Sequence, residues 1–135
     1  MSFIEVSHTA DVKIRARAPT LETLFSDACD ALMLVMYGSS RKGTIKKEIT
    51  ITSADIDSLL LDFLSEVLFV SEVEGMVFSK ADVKIDGLNL HAELKGEPFT
   101  RKRHAKGTEV KGISYSGLSI RHDANGFMVD ILFDV

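Results

Sequence analysis

The residues best suited to chemistry stand at the end of the chain, in Asp130-Ile131-Leu132-Phe133-Asp134-Val135. A strand turns successive side chains to opposite faces, so Phe127, Val129, Ile131 and Phe133 share one face and Met128, Asp130, Leu132 and Asp134 the other. The side chain of Asp134 and the α-carboxylate of Val135 bring two negative groups together. They repel unless a cation or a hydrogen-bond donor joins them. Hard oxygen donors of this type suit calcium or magnesium. If Asp11 folds beside this end, the three groups form a small site for a hard cation. The alternative is a pair of solvated acids at a frayed terminus.

Other constellations carry less. Asp62 and Glu66 stand at i and i+4, a spacing that puts both carboxylates on one helix face. Paired carboxylates can handle protons or metal, and Asp11, Asp134 and Glu66 together define a conceivable metal-dependent hydrolase. Solvated helix faces carry such pairs routinely. Arg101-Lys102-Arg103-His104-Ala105-Lys106 is the densest basic run and suits phosphate or an acidic protein surface, or is a solvated loop. Cys29 falls near an apolar helix stripe, where a small core residue is expected. Ser7, His8 and Asp11 contain the types of a hydrolytic triad, but adjacency in sequence is not triad geometry. Lys111, beside Val110, can point into a site or lay its stem over apolar surface. No phosphate-binding loop, dinucleotide glycine fingerprint or His-Glu-x-x-His pair is present, and no catalytic residue is assigned.

The elements that must position these groups follow from periodicity. Residues 3–8 and 12–18 read as strands. In the second, Val12, Ile14, Ala16 and Ala18 alternate with Asp11, Lys13, Arg15 and Arg17, which places Asp11 at the start of the charged face. Residues 21–36 read as a helix with Leu21, Leu24, Phe25, Ala28, Leu32, Val35 and Met36 on one stripe, capped by Thr20 and stopped by Gly38. Residues 44–51 form a β-branched strand. Residues 55–71 form a second helix, capped by Thr52 or Ser53, with Ile56, Leu59, Leu60, Phe63, Leu64 and Val67 inward. Asp86-Gly87 predicts a tight hairpin between strands 81–85 and 88–94, and Asn125-Gly126 predicts another between 109–122 and 127–134. In the segment 109–122 the apolar phase slips between Ile113/Tyr115 and Leu118/Ile120, which suggests a bulge at Gly117. This order predicts a single α+β domain, with antiparallel or mixed sheet and two amphipathic helices packed on it.

Bulk composition sets the outer limits. The chain has 135 residues, 45% of them hydrophobic and 27% charged, which suits one globular core. The net charge is −4, so any nucleic-acid contact must be local. One cysteine makes neither an internal disulfide nor a zinc site. The N-terminus has no secretory pattern, and the most apolar stretch, 59–70, is broken by Asp62 and Glu66. A cytoplasmic protein without membrane attachment is expected.

Taken together, certain segments resemble the archease family over almost the whole length. They are His8-Thr9-Ala10-Asp11-Val12, Thr20-Leu21-Glu22, the run from Leu59 to Phe69, Gly96-Glu97-Pro98-Phe99, His104, Gly107 to Tyr115, and Asp130 to Val135. Each is weak alone; their order and spacing are specific. The family often carries Trp where Phe63 stands and His where Ser116 stands. The resemblance implies an accessory protein with no catalysis of its own. It would activate the GTP-dependent tRNA-splicing ligase of the RtcB type, promoting guanylylation and turnover, or act as a chaperone or specificity factor for a tRNA methyltransferase. It further implies a divalent cation, calcium before magnesium or manganese, held by Asp11, Asp134 and Val135. His8 and Lys111 fall in its motifs and are expected to meet the partner.

Overall fold

The computed structural model describes residues 3–7 and 11–135, with the backbone alone described at residues 5–7. His8 therefore lies outside the described residues. The chain opens with β1 (Phe3–Ser7) and β2 (Asp11–Ala18), followed by α1 (Leu21–Tyr37), β3 (Ile45–Thr52) and α2 (Ile56–Glu74). It continues as β4 (Met76–Asp86), β5 (Asn89–Pro98), a single helical turn α3 (Arg101–His104), β6 (Gly112–Ile113), β7 (Arg121–Asp123) and β8 (Gly126–Asp134). One sheet runs β1-β2-β8-β6, with β7 also on β8; the second runs β3-β5-β4. Every pairing is antiparallel, as expected of an α+β fold.

Helix α1 packs on β2 and β8 of the first sheet and on β4 of the second, and α2 reaches β3, β4 and β6. The helices thus form a layer that both sheets share. That position explains why α1 buries Leu24, Phe25, Ala28, Cys29, Ala31, Leu32, Met33 and Met36, more than one stripe of its surface. The alternating strands supply the rest: Ile14, Ala16 and Ala18 from β2, and Val129, Ile131 and Phe133 from β8, all buried. Each sheet turns its other, polar face to solvent.

Local chemistry fixes the ends of these elements. Thr20 Oγ1 accepts the Thr23 N–H at 3.1 Å, and the Gly38 N–H closes α1 on the Leu34 carbonyl at 2.9 Å. The cap of α2 is Asp55, whose carboxylate accepts the Ser58 N–H at 2.8 Å. Thr52 belongs to β3 instead, and Ser53 donates to Asp62. Asp86 pairs with Asn89, so the hairpin turn is Gly87-Leu88, one residue later than the Asp-Gly signal suggests. Only Gly87 has positive φ (62°), which fits a turn with glycine at its first central position.

The segment 109–122 departs most from the expected strand. It pairs only at Gly112–Ile113 and Arg121–Asp123, and a turn carries it between. Gly117 (φ 73°) lies in that turn, closed by the Leu118 N–H on the Tyr115 carbonyl at 3.3 Å. Tyr115, expected inward, is exposed, while Ile113, Leu118 and Ile120 do pack on the core. The register irregularity is elsewhere, in β4 between Phe78 and Lys80.

Candidate functional site

The two ends of the first sheet's central strands meet. β2 and β8 pair without a break from Asp11 opposite Asp134 to Ala18 opposite Phe127. Residues directly opposite on an antiparallel pair share a face, with their Cβ atoms about 4.5–5.5 Å apart. The Asp11 and Asp134 carboxylates thus project side by side from the charged face. On its other flank Asp134 pairs with Gly112, and the Lys111 N–H donates to the Asp134 carbonyl at 2.7 Å. Gly112 has no side chain to cover the acid: a Cβ built there would stand 3.8 Å from Asp134 Oδ2. Val135 follows at the rim, 36% exposed.

Opposed like charges destabilise a strand pair unless something neutralises them. Among the described residues no group of three or more His, Cys, Asp or Glu side chains gathers around one point. A cation here would have two side-chain carboxylates and main-chain oxygen of Val135, with water completing its shell. That donor set is hard and sparse, and it fits calcium or magnesium held loosely. Glu66 is not part of it. It stands with Asp62, Ser65 and Phe69 along a groove against Thr50–Thr52 of β3. The hydrolase trio of Asp11, Asp134 and Glu66 is therefore not assembled.

Two positions further along the same face, Arg15 stands opposite Asp130 and grips it bidentately, Nε to Oδ1 at 2.8 Å and Nη2 to Oδ2 at 3.1 Å. The hydrogen bond from Arg15 holds the Asp130 carboxyl below its ordinary range, helped by the charges of Arg15, Lys13 and Arg121.

The basic run is not simply a solvated loop. It forms α3, and His104 at its end is buried. The Thr100 N–H donates to His104 Nδ1 at 2.9 Å, which leaves the ring hydrogen on Nε2, 3.2 Å from Glu97 Oε2. Glu97 also takes the Lys42 N–H at 2.6 Å and pairs with Arg103. Burial pushes the Glu97 carboxyl up, but these donors outweigh it and the group stays below its ordinary range. Phe99 and Tyr37 pack on the His104 ring. Sequence reasoning did not single out Glu97, which appeared only within the resembling segment Gly96-Glu97-Pro98-Phe99. Its partner Arg103 lies six residues on, across a chain reversal that no local period marks.

Cys29 is buried in the core, and desolvation pushes its thiol up to about 12, with the Asp30 charge adding to the effect. It is a packing residue. The Lys111 side chain is exposed beside the acidic corner. No helix among the described residues is long and apolar enough to cross a membrane.

The fold and this corner define a class: two-sheet α+β domains around a shared helical layer, in which the ends of the first sheet's central strands meet in acid. The chain belongs to the archease family: residues 3–135 match the model of the archease protein family (MTH1598/TM1083). It is 32% identical to the protein archease of Methanosarcina mazei over 136 residues, covering 96% of this chain and 93% of that one. It is 36% identical to the protein archease of Saccharolobus islandicus, covering 99% of each. The solution structure of protein 1598 from Methanobacterium thermoautotrophicum superposes with a TM-score of 0.88 at 31% identity, covering 99% of each chain. A crystal structure of an archease from Thermotoga maritima, described as a possible chaperone, shares the fold with a TM-score of 0.70 at 19% identity.

Proposed function

We propose that this protein activates a GTP-dependent RNA ligase of the tRNA-splicing type, using a divalent cation held by Asp11, Asp134 and Val135. The observation that carries the reading is the direct opposition of Asp11 and Asp134 at one corner of the sheet. Two carboxylates in register, Asp134 exposed and Asp11 half-buried, make a poor structural anchor but a good presentation surface. When bound, the ion supplies positive charge that neutralises phosphate oxygens in nucleotidyl transfer.

The residues around the ion have separate tasks. Asp11 and Asp134 hold it at the rim, and the β2–β8 ladder fixes the distance between them. The Lys111 N–H pins the Asp134 main chain, and its exposed side chain is suited to meet phosphate or a partner carboxylate. The protein contributes position and charge, and the covalent step belongs to the ligase. Asp11→Asn and Asp134→Asn, each nearly isosteric, should fold normally and fail to stimulate guanylylation of the purified ligase. Normal stimulation by both variants would falsify the reading.

A second reading has its own observation: Arg101, Lys102 and Lys106 are exposed around α3. This basic turn suits an acidic surface on a tRNA methyltransferase, with the protein as its chaperone or specificity factor. Arg101→Glu with Lys102→Glu should then abolish methyltransferase capture and leave ligase stimulation intact. Arg103 is avoided because it is tied to Glu97.

A further inference from the structure

The middle of the first sheet's solvent face carries a row of cations, with acids at the two ends of the face. Lys13, Arg15 and Arg17 follow one another at every second residue of β2, and Arg121 joins them from β7, opposite Met128 of β8. The carboxylate among them is Asp130, and Arg15 takes up both its oxygens. Four cations thus stand around Asp130 in the middle of the face, and Asp11 and Asp134 close the row at one end. Among the described residues, no carboxylate pairs with Lys13, Arg17 or Arg121. Arg17 and Arg121 are exposed, and the Arg17 guanidinium donates to the Met128 sulfur at 3.1 Å. At the far end Asp123 turns back to the Asn125 N–H of its own hairpin.

We infer that this face binds the phosphodiester backbone of single-stranded RNA along the Lys13–Arg15–Arg17 row, with Arg121 alongside. Alternate residues of a strand lie roughly 6.7 Å apart, close to the phosphate repeat of an extended nucleic-acid strand. Guanidinium groups match phosphate with two parallel donors, and two of the three cations that pair with no carboxylate among the described residues are arginines. The row starts two residues from Asp11 on the same face of the same strand, so a strand crossing it runs to the acidic corner. The choice of RNA over an acidic peptide rests on the ligase reading, which brings that corner to a centre where RNA ends are joined. Non-specific binding through about three contacts is weak and strongly salt-dependent.

The test is fluorescence anisotropy of a labelled oligouridine with the full chain, in a chelator so that no ion bridges protein to phosphate. Binding should weaken with salt with a log–log slope of about −2, as three phosphate contacts on a single strand require. Arg17→Glu with Arg121→Glu should weaken binding at least tenfold and flatten that slope, with the thermal melt unchanged. Asp130→Asn should tighten binding several-fold. The inference is overturned if oligouridine does not bind at low salt, or if the double variant binds as well as the parent. Polyglutamate competing as well as RNA would assign the face to an acidic protein instead. Loss of binding in Arg101→Glu with Lys102→Glu would move the RNA site to α3. The ligase reading fails differently: the parent protein would not stimulate guanylylation in the absence of RNA. The Arg17 and Arg121 variant should leave that stimulation at its parental level.

Discussion

Asp11 and Asp134 stand directly opposite each other at the last rung of the β2–β8 ladder, with Gly112 on the far side of Asp134. Two like charges at the end of a strand pair cost stability when nothing lies between them. A bound cation removes that cost and adds its binding free energy to folding, about 2.7 kcal/mol when the ion is at a hundred times its Kd.

Calcium should therefore raise the melting temperature of the protein in a concentration-dependent way. Asp11→Asn and Asp134→Asn should melt at or above the parent without calcium, because repulsion is relieved, and should lose the calcium-dependent rise. Differential scanning calorimetry with and without the ion checks both signs. A calcium response that survives in both variants would place the ion elsewhere.

Glu97 couples folding to acid. Its carboxyl lies below the ordinary range in the folded protein, under the donors from Lys42, His104 and Arg103. A lowered folded value means that the folded state binds its proton less readily than the unfolded chain. The stabilisation is thus fully present above the unfolded carboxyl value of about 4.3 and is lost as pH falls through the folded value. Glu97→Gln should be less stable than the parent at pH 7, and the gap should close in acid below about pH 4. Urea denaturation at several pH values measures it.

His104 is buried with both ring nitrogens engaged and aromatic neighbours on its ring. His104→Ala leaves a cavity and strips the Thr100 N–H of its acceptor, at a cost of about 2–3 kcal/mol. Chemical denaturation should show this as a lower midpoint with an unchanged slope.

Gly107 passes so close to the end of α1 that a Cβ would fall 2.0 Å from the Met36 carbonyl oxygen and 2.5 Å from that of Val35. Both obstacles are backbone, so neither can rotate away. The adjacent Thr108 N–H bonds Val35 O at 2.8 Å and fixes the approach. Gly107→Ala should cost about 3 kcal/mol or more, read as a fall in melting temperature or as insoluble expression.

The Cys29 thiol, buried and raised to about 12, should resist thiol reagents in the native protein. Its reaction with an aromatic disulfide should keep pace with unfolding across a denaturant series. Rapid labelling in buffer alone would contradict this.

What the sequence determined by itself was everything carried by short-range periodicity. The apolar stripe from Leu21 to Met36 and the alternation from Val12 to Ala18 each demand one element and one buried face, whatever the rest of the chain does. The same alternation put Asp11 on a charged face, and Asp130 and Asp134 together on another. Local rules misjudged the turn at Gly87-Leu88, where glycine geometry and strand register shift the reversal by one residue. They also misjudged the segment 109–122, whose pairing depends on how much of β8 remains free to receive it.

Only the tertiary structure decided which charges meet. Asp11 faces Asp134 and Arg15 faces Asp130 because β2 and β8, from opposite ends of the sequence, pair in one register. A shift of one residue would turn every one of these groups into the core, so burial of Ile14, Ala16, Val129 and Ile131 selects the register. The acidic corner and the basic row beside it are consequences of that selection. No local pattern encodes the contact, because the free energy that fixes it comes from the apolar face on the other side of the same strands.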